Sequence, residues 1–258
     1  MILVALLQLP YFKSCVIIYW GDILKIGLFA DSHVCTFDLE DGRLPTLSLG
    51  KITDMLEDFR ASGVELVICL GDLMHYEENA EQNEINIRNV AKLFDGYPVR
   101  RVLIRGNHDC EIFSKEDFAQ KSGFELSPLC IDAGNGKRLI MLDASYSDDG
   151  SEYQPPHNDW TNSYIPPQQL EWFTGLLSDK SLDCTVFVHQ CLDYSVEHHH
   201  LIRNAVAVNS IIADSENVSH VYMGHYHQGA ESTVNGVEYT TLKALSLGNE
   251  NSYMIIDI

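Results

Sequence analysis

The chain has 258 residues, 45% hydrophobic and 21% charged, a globular composition with enough length for one large domain and a well-buried core. Its net charge is -20 and its pI about 4.7, so the average field repels long anionic polymers and excludes a broad basic face for nucleic acid. Clustered divalent cations would reverse that sign locally, which leaves small anionic substrates open.

The seven cysteines (Cys15, Cys35, Cys69, Cys110, Cys130, Cys184 and Cys191) are odd in number, scattered and without a C-x-x-C pair. They make no disulfide framework, which points to a reducing, cytoplasmic location. The start, "MILVALLQLPYFKSCVIIYWGD", is apolar, but Pro10 and Lys13 interrupt it short of the roughly 20 residues that a membrane span needs. It has no basic n-region and no A-x-A cleavage site, so it reads neither as a span nor as a secretory signal. The folded pattern begins at Lys25. We therefore divide the chain into an extension, 1–24 (an extra strand, a docking segment or a product of start-site choice), and a single domain, 25–258.

From Lys25 onwards, short apolar runs alternate with amphipathic stretches. The runs are Ile26–Ala30, Leu66–Leu70, Val102–Ile104, Leu139–Leu142, Thr185–Val188 and Val221–Met223, each of a length to be a strand buried on both faces. Between them, residues 46–61 place Leu49, Ile52, Met55, Leu56 and Phe59 at helical spacing, and residues 83–94 do the same with Ile87, Val90, Ala91 and Phe94. "PPQQLEWFTGLLS" opens with proline where a first helical turn tolerates it, and "LIRNAVAVNSIIAD" predicts a further helix. This rhythm predicts an α/β fold with a largely parallel sheet. Residues 147–167 are polar and proline-rich, as in a long loop that covers a site. Towards the end, Asn235-Gly236 between two strand-like runs signals a hairpin, and "NSYMIIDI" a last strand.

The ends of these runs carry the chemistry. Ile26–Ala30 is followed by Asp31 and His33, and Leu66–Leu70 by Gly71 and Asp72. Val102–Ile104 leads to Gly106, Asn107, His108 and Asp109, where we expect Gly106 to make a tight turn. Thr185–Val188 ends at His189, and Val221–Met223 at Gly224, His225 and His227. A lone Asp after a strand is usually a helix cap or turn former. Five of the six runs ending in donors are another matter, because strand ends of an open α/β sheet share the edge where ligands bind. Carboxylate, amide and imidazole donors without thiolate suit Mn²⁺, Fe or Zn²⁺. Seven donors exceed the needs of one open catalytic ion but fit two ions sharing a carboxylate, a device of phosphoryl transfer with the ions about 3.5–4 Å apart.

D-x-H, G-D, G-N-H-D, a later His and G-H-x-H, in this order, resemble the full signature of the calcineurin-like metallophosphoesterases over about residues 25–258. The resemblance implies a four-layer αββα sandwich with the dimetal site at the sheet edge. It implies that Asp31, His33 and His227 hold one metal, that Asn107, His189 and His225 hold the other, and that Asp72 bridges them. The nucleophile would be a metal-bound hydroxide, and His108 would stabilise the phosphoryl oxygens or protonate the leaving group. Asp109 would orient the His108 imidazole. Manganese is the expected metal, with iron or zinc as alternatives.

Departures from the pattern narrow the branch. "GDLMHYE" lacks the Asp-Arg pair of the serine/threonine phosphatases, and His75 stands where purple acid phosphatases carry an iron-binding Tyr. The sequence is more similar to bacterial cyclic-nucleotide and glycerophosphodiester phosphodiesterases and to manganese-dependent ADP-ribose/CDP-alcohol diphosphatases. Outside the motifs, His75, His199 and Arg203 are candidates for substrate contact, as are Asn204 and the aromatic residues Trp160 and Tyr164, with Trp172 read as core. The run His198–His200 reads as a loop rim, and Cys35, Cys110 and Cys191 as small apolar residues packed behind the site.

These readings predict a metal-dependent hydrolase of small phosphodiesters, with no nucleic-acid polymer as partner. The alternatives are a diphosphatase of the ADP-ribose/CDP-alcohol type, a phosphomonoesterase, or a non-catalytic scaffold of the same fold. The scaffold stands last because all seven ligands and His108 are present.

Overall fold

The computed structural model describes residues 15–17, 23–156 and 158–258. In chain order these form β1 (Val16–Ile17), β2 (Lys25–Phe29), α1 (Ser48–Ser62), β3 (Leu66–Cys69), α2 (Ala80–Asp95) and β4 (Arg100–Leu103). Two short helices follow, α3 (Asn107–Cys110) and α4 (Lys115–Ser122), then β5 (Glu125–Leu126), β6 (Leu129–Gly134) and β7 (Lys137–Met141). The second half holds α5 (Pro167–Leu176), β8 (Asp183–Phe187), α6 (Ala205–Ser215), β9 (Val218–Met223), β10 (Ala230–Val234), β11 (Val237–Thr241) and β12 (Met254–Asp257).

The strands make two sheets, of order β12-β2-β3-β4-β5 and β1-β6-β7-β8-β9-β11-β10. In the first, β2 to β5 are parallel and β12 is antiparallel on the free edge of β2. In the second, β7, β8, β9 and β11 are parallel, flanked by antiparallel β6 and β10.

Side chains alternate across each strand, and here both faces are apolar. Ile26, Leu28, Leu66, Ile68 and Val102 of the first sheet share one buried cluster with Leu129, Ile131, Met141 and Phe187 of the second. The opposite face of the first sheet packs Phe29, Val67, Cys69 and Leu103 against Ile52, Met55 and Phe59 of α1, Phe94 of α2 and Phe118 of α4. The outer face of the second packs Ile140, Val186 and Val221 against Trp172 and Phe173 of α5 and Val208 and Ile212 of α6. Helices, sheet, sheet, helices is the expected four-layer sandwich. On the outward face of β2, Gly27 leaves room for the ring of Phe59, which a Cβ there would strike. Truncating that fully buried ring to Ala would cost about 3–5 kcal/mol.

Two hairpins share one turn chemistry. Asn235-Gly236 joins β10 to β11 as expected, with φ 53° and 83°. Asn135-Gly136 does the same between β6 and β7, with φ 49° and 75°, although β6 was not anticipated from the sequence.

Of the 1–24 extension, residues 1–14 and 18–22 lie outside the described residues, so its reading as an extra strand, docking segment or start-site product is largely outside them too. Val16–Ile17 pairs in parallel with Ile131 and Asp132. Beside it, Cys15 and Cys130 are joined in a disulfide, a single pair that the sequence reading did not anticipate. Cys35, Cys69, Cys110, Cys184 and Cys191 are free and buried. No helix among the described residues is long and apolar enough to cross a membrane.

Candidate metal centre

Six of the seven predicted ligands, from four strand ends, come together on the seam between the two sheets, and Asn107 follows β4 next to His108, whose N–H bonds Asp72. The sheet ladders continue past the strands and fix the loops. Asp31 N donates to Gly71 O (2.9 Å), His33 N to Asp72 O (2.9 Å), Ile104 N to Cys69 O (2.9 Å) and Gly224 N to His189 O (3.0 Å). Hydrogen bonds at the cluster also cross between the sheets. His189 Nδ1 meets Leu70 O at 2.7 Å, and His225 N donates to the Asp31 carboxylate at 3.1 and 3.2 Å.

Backbone strain collects here. Asp31, His33, Asp72 and His225 have φ of 54°, 46°, 49° and 69°, the left-handed region that non-glycine residues seldom enter. Gly71 shares it, at 109°, and a Cβ there would also strike the His189 ring. Gly106 corrects our expectation. Its φ is -85°, so no turn requires it. Space does, because a Cβ at Gly106 would occupy the Asp72 carboxylate.

The donors fall into two groups with one member in common. Ligand atoms of Asp31, His33, Asp72 and His227 lie within 4.8 Å of one another, and so do those of Asp72, His189 and His225. His33 Nε2 and His227 Nε2 face each other at 3.2 Å. Asp72 Oδ2 is 3.7 Å from His33 Nε2 and 3.4 Å from His189 Nε2. Asn107 Oδ1, His189 Nε2 and His225 Nε2 are buried with no hydrogen-bond partner among the described residues. With Nδ1–H of His189 donated to Leu70 O, its Nε2 faces the cluster, and the neutral ring would present a lone pair there, as a ligating imidazole requires.

The electrostatics are those of a site built for cations. Burial pushes the Asp31 carboxyl up to about 7, with the Asp72 charge adding to it and His189 opposing. Burial holds the His33 and His225 rings well below the usual histidine range, and drives His227 to about 3 with help from Arg43. Burial disfavours the charged form of His189 too, yet Asp72 and Asp31 outweigh it and raise that ring to about 9. Buried carboxylates, unpartnered imidazole nitrogens and a bare amide oxygen fit two bound metal ions.

His108 stands beside the first group, its ring 5.0 Å from that of His33. Burial opposes its cation, but Asp72 and Glu111 raise its pKa. The partner of its Nδ1 is Glu111 Oε2, at 3.1 Å, and not Asp109. Asp109 is wholly buried and its carboxylate accepts from Gly106 N (3.0 Å) and Met74 N (3.1 Å). The expected orienting role of Asp109 is therefore corrected: it holds the backbone of the turn, while Glu111 meets the imidazole.

Of the proposed substrate contacts, His75 reaches the cluster, with its ring 4.6 Å from that of His108. His199 does not touch it. It is exposed and meets Trp160 at 5.5 Å, whereas His200 approaches the His225 ring at 5.1 Å. Arg203 is exposed on a cavity of about 450 Å³ that His199, Thr161 and Tyr194 also line. Asn204 is spent on the backbone of Ile165. The 147–167 segment reaches the site: Trp160 lies 5.4 Å from His225, and Asn158 Nδ2 is 3.5 Å from Asn107 O. Trp172 packs in the core as expected, together with Cys191, and burial pushes the thiols of Cys35, Cys110 and Cys191 up to about 11, 12 and 12. Sequence reasoning missed Arg43, whose Nη1 is 3.1 Å from His33 Nε2.

The calcineurin-like phosphoesterase family matches residues 24–229, most of the chain. The chain belongs to that family. Among solved structures, this calcineurin-like phosphoesterase is similar to a dimetal phosphatase from Danio rerio (TM-score 0.77, 19% identity, 90% of this chain and 91% of that one). It is also similar to the purple acid phosphatase PPD1 of yellow lupin (Lupinus luteus), with TM-score 0.55 and 14% identity over 86% of this chain and 44% of that one. A third is the phosphopantetheinyl hydrolase of Mycobacterium tuberculosis (TM-score 0.50, 11% identity, 87% of this chain and 91% of that one). At these identities the likeness is one of fold. No curated protein matches by sequence.

Proposed function

We propose that this calcineurin-like phosphoesterase is a two-metal phosphodiesterase acting on small organic phosphodiesters. The observation that carries the reading is Asp72, one buried carboxylate shared by two donor groups, beside which Asn107 Oδ1, His189 Nε2 and His225 Nε2 are buried without hydrogen-bond partners among the described residues. Asp31, His33 and His227 would hold one ion, Asn107, His189 and His225 the other, with Asp72 common to both. Oxygen and nitrogen donors without thiolate favour Mn²⁺, with Fe or Zn²⁺ also suited. Bound ions supply an activated water and neutralise charge on phosphoryl oxygens.

The chain's own groups do the rest. His108, whose ring meets Glu111 and whose cation Asp72 and Glu111 favour, would in its acid form give a proton to the leaving oxygen. Two half-exposed aromatic rings flank the cluster, Phe37 against His75 and Trp160 against His225, and offer apolar surface to the organic groups on either side of a diester.

The test is hydrolysis of bis-p-nitrophenyl phosphate against p-nitrophenyl phosphate with Mn²⁺, with and without chelator. Diester preference abolished by chelator supports the reading. Preference for the monoester makes the protein a phosphomonoesterase. Silence on both, with turnover of ADP-ribose or a CDP-alcohol, makes it a diphosphatase.

A further inference from the structure

Arg43 belongs to none of the motifs, yet its guanidinium reaches the metal cluster. Nη1 lies 3.1 Å from His33 Nε2, and its charge acts on Asp31, His33, His75, His108 and His227. The side chain is held firmly. Nε and Nη2 both meet Asp41 Oδ2 at 2.8 Å, and 12% of the side chain is exposed. The loop beneath it is held too. Leu39 N donates to Arg43 O (3.0 Å), Leu44 N to Ser246 O (2.6 Å) and Gly248 N to Gly42 O (3.0 Å), and Arg43 bridges to Leu247.

A surface ion pair with Asp41 would use Nε and Nη2 and contribute little. It gives no reason for Nη1 to face a pocket of imidazoles. A fixed positive charge at that distance from His33 Nε2 opposes the arrival of a cation at the same nitrogen. The conflict is relieved when an anion enters between guanidinium and metals. A planar guanidinium fork is matched to the oxygens of a phosphoryl group.

We propose that Arg43 is a substrate anchor: its Nη1 donates to a non-bridging oxygen of the phosphoryl group held at the metal pair, and Asp41 is the positioning residue that aims it. This rests on the phosphoesterase reading of the same site. It adds a guanidinium contact from the loop after β2.

The test uses the full chain loaded with Mn²⁺, as wild type, Arg43→Ala, Arg43→Lys and Asp41→Asn. Calorimetry reads inorganic phosphate binding, elemental analysis reads metal content, and bis-p-nitrophenyl phosphate gives KM and kcat. Loss of a charge-assisted hydrogen bond should weaken phosphate binding roughly 10- to 100-fold in R43A and raise KM by a similar factor. Metal content should equal wild type, with kcat within about threefold. R43K should recover part of the loss, and D41N should weaken binding in the same direction by less. Wild-type phosphate affinity in R43A, a change confined to kcat, or a fall in metal content would overturn the proposal. A wild type that turns over no diester would instead count against the phosphodiesterase reading, and the phosphate titrations would still decide the role of Arg43.

Discussion

The backbone N–H of His108 donates to Asp72 Oδ1 at 2.9 Å, tying the G-D turn after β3 to the G-N-H-D turn after β4. The protein thus grips one oxygen of Asp72, and the other faces His33 and His189. That carboxylate is aimed at both donor groups, and on the proposed two-metal reading whatever displaces it should disable both ion positions at once.

Gly106→Ala should do so, because its Cβ would enter the space of Asp72. We expect a loss of about 1–3 kcal/mol in urea unfolding together with lost Mn²⁺ binding. Gly175→Ala is the control: it lies in α5 with nothing within 4 Å of the new Cβ. It should raise stability by about 0.4–1 kcal/mol and leave metal content unchanged.

His108→Ala should lower kcat by about 10²–10⁴ with metal content retained. Glu111→Gln should move the alkaline limb of the kcat profile to lower pH. Burial opposes the His108 cation and Asp72 and Glu111 favour it, so removing Glu111 lowers the ring's pKa and the acid form is lost earlier. Asp109→Asn should leave that limb in place and cost about 1–3 kcal/mol of stability, because one of Gly106 N and Met74 N loses its acceptor.

Metal binding should release protons. In the metal-free site His189 is raised to about 9 and Asp31 to about 7, so at pH 7 the first is charged and the second half-protonated. Ligation requires both deprotonated. Apparent Mn²⁺ affinity should therefore rise from pH 6 to about pH 9. Calorimetric titrations in two buffers of different ionisation heat should show net proton release at pH 7, and no release would contradict the assignment of His189.

A buried ion network lies beneath the site: Arg105 Nη2 meets Asp143 Oδ2 at 3.2 Å and also Glu152, and Lys115 Nζ meets Asp143 Oδ2 at 2.9 Å. Burial raises the Asp143 carboxyl, but Lys115 and Arg105 prevail and hold it at about 2. Its folded pKa is below the unfolded value, so its contribution is present above about pH 4 and is lost as pH falls towards 2. Asp143→Asn should cost about 3–5 kcal/mol at pH 7, and the gap to wild type should narrow below pH 4. A gap constant from pH 7 to pH 3 would contradict the ion-pair account.

What the sequence carried locally could be read from it. Strand runs, the α1 and α2 stripes and the Asn235-Gly236 hairpin depend on near neighbours, and strand ends that share a sheet edge then place Asp31 beside His227 across the chain. The β6–β7 hairpin carries the same Asn-Gly signal at Asn135-Gly136 and could have been read by the same rule. Glu111 was within reach as well, three residues past His108 on one helical turn. Other features depend on contacts that no local pattern encodes. Arg43 is aimed by Asp41 and by straps to Ser246 and Gly248, some 200 positions away. Among three consecutive histidines, only the backbone path selects His200 over His199 to approach His225. Gly106 looked like a turn residue, but the neighbour that demands it is Asp72, in the turn after β3.

The measurement that bears most directly on the central claim is metal stoichiometry with electron paramagnetic resonance of the Mn²⁺-loaded protein, as wild type and Asp72→Asn. The account predicts two ions per wild-type chain with an exchange-coupled signal, and loss of that coupling in the variant. A single ion per chain, or two uncoupled ions unaffected by the substitution, would contradict a centre in which Asp72 joins two metals.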